Sequence, residues 1–318
     1  MPTTRRAVLG LAVAGGLAGC TRPATTDGDQ RRPLTPTPTP DAALLAAAAS
    51  ERQLAAWLSG VVAQAGRHQV PGPVVPVLRA LAAAHAEHAR MLRRMDPLAA
   101  SGPASATPTP AAIPAAPWAR LREELSRREA ALHGRHTAMA LRTQDPTRAL
   151  LGASLATFAA AHRRPAVAPV DRGTRPAEVA VGTADQARLA LLARLRALAE
   201  GLEVGAGQLD GSSAAHAAAR ARLDEVWRAR DAVIAQLVAA GTEVPPAELG
   251  YRMPGGFRDL AATRRTWAVL EEAVLAGWAR LCAATTGGQR EQALARMVAQ
   301  AQAVRANGGA LDWWPGWV

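Results

Sequence analysis

The chain predicts an all-α fold in which eight helices fall into two successive sets of four. Three observations carry this. From Asp41 onward Ala, Leu and Arg, all strong helix formers, dominate, and runs of β-branched residues are absent. Apolar residues recur at spacings of three and four, the period of a helix with one buried face. Both sets also share one layout, with a short first loop, a long Pro-containing second connection and a short third loop.

Taken in order, the periodicity predicts helices near 41–66, 73–95, 117–140 and 146–163, then a polar Pro/Arg stretch, then helices near 184–206, 213–240, 259–285 and 289–306. In the first set the long connection, 96–116, holds Pro97, Pro103, Pro108, Pro110 and Pro114; in the second, 241–258 holds Pro245, Pro246 and Pro254. A four-helix bundle with a long crossover between its second and third helices has the ferritin-like topology, as distinct from a simple up-down bundle. The expected architecture is therefore a tandem of ferritin-like four-helix bundles, 41–163 and 184–308, joined by a linker at 164–183 and followed by a Trp-rich tail at 309–318.

The first forty residues read differently. Arg5 and Arg6 precede a short apolar segment, 7–16, which closes on Leu17-Ala18-Gly19-Cys20. That tetrapeptide resembles a bacterial lipobox, which implies a signal peptide over 1–19 and a diacylglyceryl group on Cys20. The apolar stretch falls short of the ~20 residues that span a bilayer, so it reads as a signal and not a span. Thr4-Arg5-Arg6-Ala7-Val8-Leu9 also resembles a twin-arginine export signal. Two acyl chains anchor a protein stably, so the expected location is the outer face of the cytoplasmic membrane, with the membrane itself as a partner. Residues 20–40 contain Thr35-Pro36-Thr37-Pro38-Thr39-Pro40, an extended polyproline-like tether that also permits glycosylation.

Against 26 acidic residues stand 37 basic ones, every one of them Arg. An Arg-for-Lys and Ala-rich bias is what a GC-rich coding sequence produces. The Arg residues are interleaved with Glu and Asp along helices, which reads as a solvated face and not a nucleic-acid surface. Once Cys20 is acylated, Cys282 is the one remaining thiol, so no intramolecular disulfide forms; its helical setting reads as a small buried apolar residue.

In the second set Arg228-Ala229-Arg230-Asp231-Ala232-Val233 runs into a helix ending at Gly241. Val244-Pro245-Pro246-Ala247-Glu248-Leu249-Gly250-Tyr251-Arg252-Met253-Pro254 follows, then Leu270-Glu271-Glu272-Ala273 and Trp278. With these residues the chain resembles the ferritin-like exported lipoproteins of unknown function from high-GC Gram-positive bacteria, over roughly 184–306 and more loosely over 41–163. The resemblance implies a fold and no activity.

Ferritin-like bundles that do chemistry hold metal with a Glu from each of two helices and a Glu-x-x-His pair from each of the others. The second set lacks this pattern: Arg228 stands three after Glu225, Leu294 three after Glu291, and its one histidine, His216, is near a helix start. Its carboxylates read as partners for Arg. Six of the seven histidines fall in the first set. His85 and His88 share a face, Glu129, His133 and His136 form a stripe, Glu51 lies on the first helix, and His162 on the fourth has Ala159 three residues before it where the motif has Glu. The candidate metal ligands are Glu51, His85, His88, Glu129, His133 and His162, an imidazole-rich set suited to zinc, copper or a single iron. The competing reading makes these histidines exposed polar positions or hydrogen-bonded core residues, and predicts that His85, His88, Glu129 and His133 do not all converge on one point.

The sequence thus favours a lipid-anchored extracytoplasmic ferritin-like protein that serves as a non-catalytic binding or envelope-associated module, with no cofactor expected. One alternative is a metal-binding protein for storage or redox chemistry using the first bundle. Another is an assembly component that docks an envelope protein through helix faces and the tail, Asp312-Trp313-Trp314-Pro315-Gly316-Trp317-Val318, whose tryptophans are expected to fold back onto a bundle. Trp57, Trp118, Trp227, Trp267 and Trp278 are expected in the core or over the bundle ends.

Overall fold

A computed structural model describes residues 41–94, 96–98, 109–164, 170, 171, 173, 176, 177 and 179–317. The expected signal peptide, lipid-modified Cys20 and tether, and part of the first crossover, lie outside the described residues. Eight helices follow in order: α1 (Ala42–Ala63), α2 (Val74–Leu92), α3 (Trp118–Arg142), α4 (Pro146–His162), α5 (Ala184–Gly207), α6 (Ala214–Ala239), α7 (Leu260–Ala284) and α8 (Gly287–Ala306). The fold is all-α, and the helices fall within three residues of the boundaries their periodicity predicts. No described helix is long and apolar enough to cross a membrane.

Local chemistry sets the helix starts. The Asp41 carboxylate accepts from the backbone of Ala43 and Leu44, Asp145 does the same for Thr147 and Arg148 with Pro146 as the first helical residue, and Asp259 accepts from Ala262. Thr183 and Gln186 form a reciprocal capping box at the start of α5.

Each set packs in the same way. The first helix lies on the second, the third on the fourth, and the first on the third, giving α1·α2, α3·α4 and α1·α3 in one half and α5·α6, α7·α8 and α5·α7 in the other. The halves share a hydrophobic core, because α4 packs on both α7 and α8. This explains why fourteen of the seventeen residues of α4 are buried, whereas α3, which faces solvent on one side, buries six of twenty-five.

Arg290, which is 1 % exposed, ties the halves together. Its Nε donates to the carbonyls of Cys282 (3.1 Å) and Thr285 (2.6 Å) at the end of α7, and its Nη1 to those of Ala140 (3.0 Å) and Thr143 (2.5 Å) at the end of α3. One guanidinium therefore caps two helix C-termini, where orphan carbonyls and the negative dipole end favour a cation. Nearby Cys282 is fully buried and its thiol is pushed up to about 12 by burial, so it is held as an unreactive thiol.

The described end of the first crossover meets α1 at Ala111. Ala111 N–H donates to Ala56 O at 3.0 Å, and a Cβ on Gly60 would sit 2.2 Å from Ala111 O, so glycine is required for this approach. A two-residue parallel pairing of Val170–Asp171 (β1) with Leu311–Asp312 (β2), which helix periodicity does not announce, fastens the tail to the linker between the halves. Trp313, Trp314 and Trp317 are buried, as are Trp57, Trp267 and Trp278, while Trp118 and Trp227 are half-buried.

Candidate metal centre

A polar cluster is buried within the apolar interior of the first half. Glu51 from α1, His85 and His88 from α2, and Glu129 and His136 from α3 are all buried. Glu51 is the hub. Its Oε2 accepts from His85 Nδ1 at 2.5 Å, its Oε1 accepts from His136 Nε2 at 2.7 Å, and His88 Nδ1 lies 3.5 Å from Oε1. The far nitrogen of His85, Nε2, donates to Glu129 Oε1 at 3.0 Å. The far nitrogen of His88, Nε2, donates to the carbonyl of Trp313 at 2.9 Å.

These outer contacts fix which nitrogens face inward. A carbonyl only accepts, so the His88 proton sits on Nε2 and its Nδ1 presents a lone pair. That lone pair finds no hydrogen-bond donor and points toward a carboxylate oxygen 3.5 Å away. Two acceptors face one another at a spacing that a shared cation satisfies. His85 is built the same way, with Nε2–H held by a carboxylate and Nδ1 turned to Glu51. An imidazole whose outer N–H is held by a carboxylate or carbonyl while its inner nitrogen ligates is the usual arrangement around protein-bound metals. One ligand atom from each of Glu51, His85 and His88 lies within 4.8 Å of the others.

Charge follows from the same geometry. Burial pushes the His85 imidazole toward neutrality, but Glu129 and Glu51 on its two sides outweigh this and raise it to about 10. Burial likewise opposes an ionised Glu51, yet His85 and His88, with hydrogen bonds from His136 and His85, hold its carboxyl well below the usual range. Burial keeps His88 neutral and raises Glu129 above an ordinary carboxyl. Without metal, a proton on His85 therefore supplies the positive charge between the two carboxylates.

Two of the candidate ligands stand apart. His133 is half-buried and its Nδ1 donates to the carbonyl of Ala156 on α4 at 3.0 Å. At ~100° per residue, His136 falls about 20° from Glu129 on one side and His133 about 40° on the other, so the two histidines diverge. The stripe thus sends Glu129 and His136 inward and His133 sideways, and His85, His88, Glu129 and His133 do not share one point. His162 is buried, but its Nδ1 donates to Phe158 O within its own helix (2.9 Å). The Phe158 ring is 4.2 Å from His162, 4.9 Å from His88 and 5.5 Å from His85, and so stands among the three. Burial, together with the Arg305 charge, lowers His162 to about 3.

His136, on the stripe with Glu129 but outside the candidate ligand set, belongs to the network in place of His133. The tail, which no ligand spacing marks, closes it: beyond the Trp313 carbonyl, the Trp314 ring lies edge-on to His88 with centroids 4.6 Å apart.

The second half fills the equivalent place differently. Glu271 stands eleven residues into α7, as Glu129 does in α3. Arg222 Nε and Nη2 donate to its two oxygens at 2.8 and 2.7 Å, and Gln300 Nε2 donates to its backbone carbonyl at 2.9 Å. A permanent guanidinium stands where the first half has imidazoles, and leaves no lone-pair cage for a metal ion.

A family model described as a domain of unknown function (DUF4439) matches residues 201–318. The match covers much of the second half and the tail, and therefore the Trp313 and Trp314 contacts to His88, but none of the first-half ligands. No curated protein and no solved structure matches the chain.

Proposed function

We propose that the first half is a binding centre for a single divalent transition metal ion, in an exported protein held to the membrane by lipid on Cys20. One observation carries the metal reading: His88 Nδ1, a buried lone pair without a donor, faces Glu51 Oε1 at 3.5 Å, while its own outer nitrogen is locked by the Trp313 carbonyl. A buried acceptor without a partner costs ~1–3 kcal/mol, and a cation between the two groups removes that cost. Glu51, His85 and His88 are the ligands, with Glu129 and His136 orienting them. Two imidazoles and a carboxylate suit zinc, copper or iron better than magnesium or calcium. Such an ion in this site supplies Lewis acidity or, for copper and iron, redox capacity. The protein's own groups supply burial, orientation and charge.

The lipid-anchored location rests on the lipobox-like end of the signal, and the extended Thr-Pro segment spaces the body from the bilayer. The buried tryptophans of the tail weigh against a partner docking through them.

Cobalt(II) titration tests the metal reading. The metal-free full chain is expected to take up one equivalent and to show the visible absorption of a nitrogen- and oxygen-ligated ion, and His88→Ala and Glu51→Gln are expected to abolish both while circular dichroism reports an intact fold. Uptake that is absent, or unchanged in both variants, refutes it.

A further inference from the structure

The second half carries an opening along α6 and α8. α6 and α8 make little direct contact, and between them lies a cleft of about 380 Å³. This is within the ~300–1,000 Å³ of ordinary small-molecule pockets. Its apolar part is formed by Leu195 from α5 and Trp278 from α7, and its polar walls by Arg222 and Arg228 from α6 and Arg296 and Gln300 from α8.

The charges in this cleft do not balance. Arg222 is committed to Glu271, to Gln300 and to Glu225, the one carboxylate that lines the cleft, at 2.7–3.0 Å. Arg228 donates its Nε to the backbone of Asp224 in its own helix, which leaves its charge unneutralised. Arg296, exposed on α8, has no ion pair among the described residues. Two uncompensated guanidiniums thus line one cleft from opposite helices, over an apolar floor and beside an indole. Guanidinium forks bind carboxylate and phosphate oxygens with directional, charge-assisted hydrogen bonds, and an apolar body gains by leaving water against Leu195 and Trp278.

We propose that this cleft binds an anionic amphiphile, a carboxylate or phosphate monoester carried on an apolar body, with its head between Arg228 and Arg296 and its body against Leu195 and Trp278. All of the cleft except Leu195 lies within the matched residues 201–318, and none of it belongs to the metal centre, so either proposal stands without the other.

Isothermal titration calorimetry on the full chain tests this, with octyl phosphate and decanoate kept below micelle formation as probes. Saturable one-to-one binding of at least one of them is expected, and the tighter of the two names the head group. The double variant Arg228→Ala, Arg296→Ala is expected to weaken it tenfold or more. Ala299→Trp, which fills the cleft from an exposed α8 position and removes no charge, is expected to abolish it, with the melting temperature of both variants unchanged. Octanol and inorganic phosphate, each lacking half of the ligand, are expected to bind at least tenfold more weakly. The proposal is overturned if neither anion saturates, if the double variant binds as tightly as the parent, or if decyltrimethylammonium binds equally well.

Discussion

Metal binding to the first half is expected to compete with a single proton, and pH is the perturbation that exposes it. In the metal-free chain His85 carries a proton on each nitrogen, because Glu129 and Glu51 raise it to about 10. Ligation through Nδ1 requires that nitrogen to shed its proton, whereas Nε2–H stays on Glu129 Oε1. The sign is therefore fixed: affinity rises with pH until His85 titrates. For a one-proton exchange well below that value, the apparent affinity changes about tenfold per pH unit, equivalent to ~1.4 kcal/mol. The assay is zinc titration at pH 6.5, 7.5 and 8.5, with protons counted by calorimetry in buffers of different ionisation enthalpy. About one proton released per ion is expected at pH 7.5. In Glu129→Gln one of the two carboxylates that sustain the His85 charge is gone, so the pH dependence is expected to flatten at its upper end. An affinity that is flat across this range, with no proton released, refutes the assignment of His85 Nδ1 as a ligand.

Three further outcomes are expected. Arg290→Met removes a guanidinium that caps α3 and α7 and leaves buried carbonyls without a donor, so urea unfolding should show a loss of at least ~1–3 kcal/mol, the cost of one stranded buried acceptor. On the acid side, His162 is held at about 3 in the fold against an ordinary 6.5; its contribution is full above 6.5 and is lost as pH falls, because only the unfolded chain takes up the proton. The melting temperature should therefore fall below pH 6.5, and less steeply in His162→Gln. Deleting 311–318 removes both the carbonyl that fixes the His88 tautomer and the Trp314 ring, so a chelator should strip metal from the shortened chain at least tenfold faster than from the parent.

The helices were legible because helix formation here is local: the three-four spacing, the Asp and Thr caps and the proline-rich crossovers each act within a few residues. Glu51, His85, His88 and Glu129 were legible for the same reason, since residues on one face of a helix share a direction whatever packs against them. His133 and His136 were not separable, because a stripe at spacings of four and three spans about 60° and only the position of α1 decides which edge of it faces inward. The closure of the site by the tail was invisible. A backbone carbonyl carries no sequence signal, and Trp313 lies 225 residues from the histidine it orients. That second-half carboxylates pair with Arg is legible from residue types, but the choice of Arg222 as the partner of Glu271 depends on how the helices of the bundle assemble.

Anomalous diffraction from crystals of the full chain grown with zinc, measured on both sides of the metal edge, tests the central claim most directly. The expected result is one strong peak about 2.0–2.2 Å from a carboxylate oxygen of Glu51 and from Nδ1 of both His85 and His88. A peak bound elsewhere, or none at that position with His85 Nδ1 still hydrogen-bonded to Glu51, would contradict it.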